Sequence, residues 1–288
     1  MDAEINNKTS RTFCIIGDPI EHSLSPLMHN AAFKKLNLNY SYIAFRVPST
    51  ELSESVESLK RIQIAGFNVT IPHKVNILKF LDDLDNDAQL AGAVNTVKNE
   101  NGSLIGYNTD IYGIINPLEN KISDFNGLKI LILGAGGSCR AAIIGLSRKK
   151  GIKKIAIFNR DKNRLNEAIS LGNKVGIDCY PYDYSDSTKL YEVSKSSDMV
   201  LNTTSVGMKG ELSPIEASYI TANTIVFDIV YKPIHTGLLL SAKKANARLI
   251  YGYEMLLNQG YKAFEIWTGL EAPRDTMKKT LFGIFGEP

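Results

Sequence analysis

Cysteine is scarce in this chain, and what there is does not cluster. Cys14, Cys139 and Cys179 are the three in 288 residues. An odd, widely spaced set offers neither a disulfide framework nor the paired spacing of a zinc site, so no metal is expected. Such usage fits a reducing compartment, and the expected location is cytoplasmic. Long apolar runs are missing as well. Nothing approaches the roughly 20 residues that a bilayer-spanning helix needs, so no membrane association is expected. The opening MDAEINNKTSRT is polar and lacks the apolar segment of a secretory signal. Charge of one sign is also lacking: 33 Lys and Arg stand against 30 Asp and Glu, for a net +3. That balance is too mild to argue for nucleic acid or an anionic membrane surface. There is no internal repeat and no low-complexity linker. What remains is 44% hydrophobic and 22% charged, the make-up of a globular protein long enough for two domains.

Strand-like runs alternate with helical patterns almost throughout. TFCIIG (12–17), YSYIAFRV and GFNVTI read as strands, and SPLMHNAAFKKL, TELSESVESLKRI and VNILKFLDDL as helices. Ser25 is a candidate N-cap with Pro26 at the first helical position. AVNTVK and SLIGYN, joined at Asn101-Gly102, read as a hairpin. A second series opens at LKILILG (128–134), a continuous apolar run typical of a parallel strand covered on both faces. IKKIAIFNR, SSDMVLNTT, NTIVFDIVY and ARLIYG read as further strands, and the end as two helices. The alternation implies parallel sheets with right-handed crossovers. The expected fold is therefore two-domain α/β. A Rossmann-like dinucleotide domain is joined to an open, mainly parallel α/β substrate domain, with the change near 110–120.

ILGAGGSCRAA is the strongest local signal. A buried strand runs into Gly134, Ala135, Gly136 and Gly137, and a helix starts just after. Glycines there permit a tight turn and a close approach of backbone to phosphate, and the first helical amides point at the anion. The G-x-G-x-x-G fingerprint is not met letter for letter, because its sixth position is Cys139. The end of the next strand chooses the cofactor. FNRDKNR supplies Asn159, Arg160, Asp161, Lys162 and Arg164. A guanidinium suits the 2′-phosphate of NADP, whereas an acid there suits the ribose of NAD. Arg160 therefore favours NADP. Asp161 keeps NAD open, unless it simply caps the following helix.

Polar residues also gather at strand ends in the first half: Ser23 and Ser25, Asn68, Thr70 and Lys74, Asn95, then Asn108 and Asp110. Ligands of open α/β sheets sit beyond the carboxyl ends of strands. Hydroxyls, amides, one ammonium and one carboxylate suit a small polyhydroxylated acid. Each residue alone has a bland reading, as a cap, a turn residue or a solvated lysine.

Taken together, SLSP, MHNAAF, NVTIPHK, AGAVNT, GYNTDIYG, GAGGSCRA, NTTSVGM and YGYEMLLNQG closely resemble the shikimate dehydrogenases, in order and over almost the whole chain. The resemblance implies reversible NADP-dependent reduction of 3-dehydroshikimate to shikimate, in the shikimate pathway of aromatic amino-acid biosynthesis. It implies Lys74 and Asp110 as the catalytic pair, with Lys74 the proton donor to the ketone oxygen. It implies Ser23 and Ser25 on the substrate carboxylate, and Thr70, Asn95, Tyr231 and Gln259 elsewhere on the substrate. Gly134, Ala135, Gly136, Gly137, Asn159, Arg160, Arg164, Thr204 and Gly252 would hold the cofactor. The substrate domain would be discontinuous, 1–110 with 253–288, around a cofactor domain at 111–252. The usual threonine after the cofactor arginine is Asp161 here. Serine rather than threonine at position 25 implies shikimate over quinate. The competing readings are an NAD-using quinate/shikimate dehydrogenase, a methylenetetrahydrofolate dehydrogenase, and a catalytically silent dinucleotide sensor. Monomer and homodimer are both open.

Overall fold

The computed structural model describes residues 9–286, apart from 153 and 211. Most of the polar opening stretch, 1–8, lies outside the described residues. The chain divides into two compact units, Met1–Thr109 with Gly260–Pro288, and Asp110–Gln259.

The first unit contains β1 (Arg11–Gly17), α1 (Ser25–Lys35), β2 (Tyr40–Arg46), α2 (Leu52–Arg61), β3 (Gly66–Val69), β4 (Asp83–Leu84), α3 (Asn86–Ala91), β5 (Thr96–Glu100) and β6 (Ser103–Tyr107). Its six strands lie in the order β2-β1-β3-β5-β6-β4. β2, β1 and β3 are mutually parallel, β5 runs antiparallel to β3 and to its hairpin partner β6, and β4 runs parallel to β6. β1 is apolar without alternation because both its faces are covered. Phe13 packs among Phe33, Tyr40 and Trp267, while Cys14 and Ile16 belong to a cluster with Phe67, Val69 and Ile77. The hairpin turns at Asn101 and Gly102, both with positive φ (55° and 96°), as the sequence pair demands.

The second unit contains α4 (Asp110–Lys121), β7 (Lys129–Leu133), α5 (Gly137–Ser147), β8 (Lys154–Asn159), α6 (Lys162–Val175), β9 (Asp178–Asp183), α7 (Ser187–Ser196), β10 (Met199–Asn202), β11 (Ile225–Asp228), α8 (Gly237–Lys244) and β12 (Arg248–Ile250). All neighbouring pairs in its sheet, β12-β11-β10-β7-β8-β9, are parallel. The strand order reverses between β7 and β10, which makes the ends of those two strands the switch point. α9 (Gly252–Thr268) and α10 (Arg274–Phe285) close the chain, with α10 packed along α1. The unit boundary falls inside α9, after Gln259, rather than at 252–253 as the sequence suggests. The cause is packing along one continuous helix. Gly113 approaches Met255 and Gln259 so closely that a Cβ would clash, whereas Gly260 meets Met28 and the Trp267 indole donates to Val97 O at 2.9 Å.

Two local readings are corrected, and one strand is added. VNILKFLDDL is not one α-helix but a single 3₁₀ stretch, Asn76–Phe80, followed by β4. Asp82 exchanges hydrogen bonds with Leu104 through its amide (2.9 Å) and its carboxylate (2.8 Å), and this pairing at the sheet edge ends the helical turn. Ser25 is not the N-cap of α1. Leu24 occupies that position without a side-chain cap, and Ser25 is the first helical residue, ahead of Pro26. DCYPYD forms the edge strand β9, where Pro181 is tolerated.

Candidate active site

In the first unit, backbone pairing draws the polar strand ends together. A Cβ on Gly17 would lie 2.3 Å from the Thr70 methyl, so only glycine lets the end of β1 pass the residue after β3. The Thr70 amide donates to Ile16 O (3.0 Å), and Asp18 N donates to Ile71 O (2.9 Å). His73 is fully buried and its Nε2–H donates to Val47 O at 2.6 Å, which pins the turn that carries Lys74. The Lys74 carbonyl accepts from Val94 N at 2.7 Å, placing its backbone next to that of Asn95. Asn95 Oδ1 accepts from Thr109 N (2.7 Å), and Asn95 Nδ2 donates to Thr109 Oγ1 (2.9 Å). Asp110 follows Thr109 directly and is buried at the start of α4. Near β1, Ser23 Oγ lies 3.4 Å from the amide of buried Ser25.

Asn68 is turned inward. Its Nδ2 donates to Asn95 O and Thr96 Oγ1, both at 3.0 Å, and its Oδ1 accepts from the Tyr42 hydroxyl at 2.6 Å. Asn108 likewise donates to Ala93 O at 2.9 Å. Tyr42, Thr96, Thr109 and His73 were missed as supports of this region. Tyr42 and Thr96 read as strand residues and His73 and Thr109 as turn residues, and only contact reveals the network.

In the second unit, Gly134 follows β7 with φ +98°, and a Cβ there would lie 2.9 Å from Thr203 Oγ1 and from the Thr204 methyl. The glycine loop and the loop after β10 therefore meet at the switch point. Gly136 is the N-cap of α5, with open space where a Cβ would stand and no side-chain cap. Gly137 begins the helix, and Cys139 is fully buried beneath it. This open, glycine-lined helix start has the form of a cradle for a dinucleotide pyrophosphate. Burial pushes the Cys139 thiol far above its ordinary pKa, so it serves as core and not as a nucleophile.

Beyond β8, Asp161 accepts from the amides of Asn163 (2.9 Å) and Arg164 (3.2 Å) and is the N-cap of α6. Arg164 Nε lies 3.5 Å from the same carboxylate. Asn159 Nδ2 donates to the Asp161 carbonyl at 3.1 Å. Arg160 is exposed, with no ion pair among the described residues. An exposed guanidinium beside a carboxylate that is already engaged fits a 2′-phosphate. Tyr231 is half-buried, and desolvation raises its phenol pKa. Gln259 Nε2 donates to Leu256 O at 2.8 Å within α9. Among the described residues no group of His, Cys, Asp and Glu could hold a metal ion, and no helix is long and apolar enough to cross a membrane.

Two α/β units, one with a glycine loop at the switch point of a six-stranded parallel sheet, define a protein of the dinucleotide-dependent dehydrogenase class. The family model for the shikimate dehydrogenase substrate binding domain matches residues 15–97. That for the shikimate 5'-dehydrogenase C-terminal domain matches 252–282, and that for the saccharopine dehydrogenase NADP binding domain matches 130–236. A shikimate dehydrogenase (NADP(+)) of Nitrosopumilus maritimus is 47% identical, across 96% of this chain and 99% of its own. The shikimate 5-dehydrogenase of Listeria monocytogenes, solved with shikimate and NAD, is 39% identical, with a TM-score of 0.85 over 95% of this chain and 96% of its own. A shikimate dehydrogenase solved with NADP+ has 39% identity and a TM-score of 0.86, covering 96% of each chain. The chain belongs to the shikimate dehydrogenase family.

Proposed function

We propose that this chain is an NADP-dependent oxidoreductase acting on a CH–OH group, and that it interconverts 3-dehydroshikimate and shikimate in the shikimate pathway. The observation that carries this reading is the junction of Gly134 with Thr203 and Thr204 in a chain that also presents Thr70, Lys74 and Asn95 on paired strand ends. Gly134 to Gly137 and the start of α5 would bind the pyrophosphate. Asn159, Arg160 and Arg164 would bind the adenosine end, and Thr204 and Gly252 would flank the nicotinamide, which when bound supplies the hydride. Ser23 and Ser25 take the substrate carboxylate. Thr70, Asn95, Tyr231 and Gln259 take other polar positions of the acid. Lys74 donates a proton to the ketone oxygen as negative charge develops there, and in reverse accepts the hydroxyl proton. Asp110 supplies the carboxylate that hydrogen-bonds the substrate. The turn anchored by His73 holds the lysine backbone to a fixed position, which proton transfer requires.

The NAD reading rested on Asp161. That carboxylate is committed to the α6 amides, which removes its motive. A cytoplasmic location, and action as monomer or homodimer, accompany the proposal. The test is the initial rate of shikimate oxidation with NADP against NAD. NADP should be strongly preferred. A protein that binds NADPH yet turns over no shikimate is the silent sensor instead.

A further inference from the structure

Asp228 ends β11 as a fully buried carboxylate that the reaction does not use. Its Oδ1 accepts from Asn202 Nδ2 at 2.9 Å and from the Val230 amide at 3.0 Å, and its Oδ2 accepts from Thr236 Oγ1 at 2.6 Å. Each donor leads to a different segment of the second unit. Asn202 Oδ1 in turn accepts from the Thr204 amide (3.0 Å) and hydroxyl (2.7 Å), and Thr204 Oγ1 accepts from Val206 N (3.1 Å). The turn at 202–206 is thus strung on one asparagine. Val230 and Ile229 press against Gly252, where a Cβ would come within 2.3 Å of Val230 O and 2.6 Å of Ile229 O. Tyr231 follows Val230 in the chain. Thr236 caps α8 by accepting from Leu239 N at 3.2 Å.

The chemistry of the hub is directional. A carboxylate accepts only, so Asn202 must turn its NH₂ toward Asp228 and its carbonyl oxygen toward Thr204. A buried carboxylate is also costly as a device for stability alone, since burial disfavours its charge. Burial indeed raises the Asp228 pKa to about 6, against three hydrogen bonds that lower it.

We propose that Asp228 is a positioning residue. By accepting from Asn202 Nδ2 and from the Val230 amide at one oxygen, it sets the orientation of Asn202 and Val230 and so holds Thr204, Tyr231 and Gly252 in one frame for cofactor and substrate. The inference rests on the roles proposed above for those three residues.

The test compares Asp228→Ala, Asp228→Asn and Asn202→Ala with the wild type. The measurements are amide hydrogen exchange over 202–208 and 229–231, and NADPH affinity by fluorescence titration. Asp228→Ala should exchange faster in both segments and bind NADPH about tenfold more weakly or worse, the scale on which small misplacements act. Asp228→Asn can still accept from Asn202 and Val230 and should stay within about threefold of wild type, because a near-isosteric partner keeps those bonds. Asn202→Ala removes the arm to Thr204, with the bonds of Asn202 to Asp228 and to Val206 O, and keeps the bonds from Val230 and Thr236 to Asp228. It should loosen 202–208, leave 229–231 protected and weaken NADPH binding, and it decides the matter if Asp228→Ala does not fold. Protection unchanged in Asp228→Ala or in Asn202→Ala overturns the inference, as does Asp228→Asn behaving like Asp228→Ala. Faster exchange with unchanged NADPH affinity overturns instead the cofactor roles on which the inference rests.

Discussion

The Tyr42 hydroxyl donates a 2.6 Å hydrogen bond to Asn68 Oδ1, and that bond turns a motif residue into a strut. Asn30 fixes Tyr42 through a pair of 2.8 Å bonds to its backbone, and His29 stacks on its ring at 4.7 Å. Both hydrogens of the Asn68 amide then hold Asn95 O and Thr96 Oγ1. Tyr42→Phe leaves a buried acceptor unpaired, which costs about 1–3 kcal/mol. Urea unfolding should show a loss of that size. A variant within about 0.5 kcal/mol of wild type, the range of surface substitutions, would show that the bond contributes nothing.

Arg160 and Asp161 are neighbours with divided tasks. Arg160→Ala should weaken NADP by about 10- to 150-fold, the value of a hydrogen bond between charged groups at about 1.5–3 kcal/mol, and leave NAD nearly unchanged. Asp161→Ser keeps an N-cap hydroxyl for the α6 amides and should leave the NADP/NAD ratio almost unmoved. Steady-state constants with each cofactor check both variants. Equal losses with the two cofactors in Arg160→Ala would make the arginine structural, and a large swing in Asp161→Ser would show its carboxylate facing the cofactor.

Lys74→Met removes the proposed proton donor while keeping the length of the side chain. General acid–base groups contribute about 10²–10⁴-fold. The loss should fall on kcat far more than on KM, as for an interaction realised in the transition state. More than about a tenth of wild-type kcat, well above that range, would remove Lys74 from the mechanism.

Shikimate and quinate differ at the carbon bearing the carboxylate, which is planar in the first and carries an extra hydroxyl in the second. Ser25 is buried, and an added hydroxyl beside it without a partner costs about 1–3 kcal/mol. That predicts a preference for shikimate of about 5- to 150-fold in kcat/KM. Measurement of both acids with NADP at one pH decides. Equal values would replace shikimate preference with dual specificity.

Asp228 also has a signature in stability against pH. Its pKa rises from 3.8 to about 6 on folding. The folded state therefore holds this proton more tightly, and the group's contribution is present below pH 3.8 and lost as pH rises through 6. Asp228→Asn removes that dependence. The variant should gain about 1–3 kcal/mol on wild type between pH 5 and pH 8, read from thermal melts at the two values. His29, whose pKa burial lowers to about 3, acts the other way in both proteins: its contribution is lost as pH falls below about 6.5. A difference between variant and wild type that does not change with pH would show that Asp228 titrates normally.

Much of the architecture was legible because its signals are local. The apolar runs of β7 and β8, the positive-φ pair Asn101-Gly102, and the glycines between β7 and α5 each carry their reason within a few residues. The motifs around Thr70, Lys74, Asn95 and Asp110 were readable for the same reason, being short and contiguous. β4 and β9 were not readable, because Asp83, Leu84 and Pro181 become strand residues only when a sheet edge is there to receive them. The end of the first unit was not readable either, because one unbroken helix serves both units and packing alone says where it changes allegiance. By itself the sequence determined which chemical groups the chain possesses, and at which strand ends and helix starts they stand. Tertiary structure decided which of them are committed inward: Asn68 to Asn95 and Thr96, Asp161 to the α6 amides, Asp228 to Asn202, Val230 and Thr236. A hydrogen-bonding side chain is the same group in either role, and only the donors and acceptors that folding brings within about 3 Å choose between them.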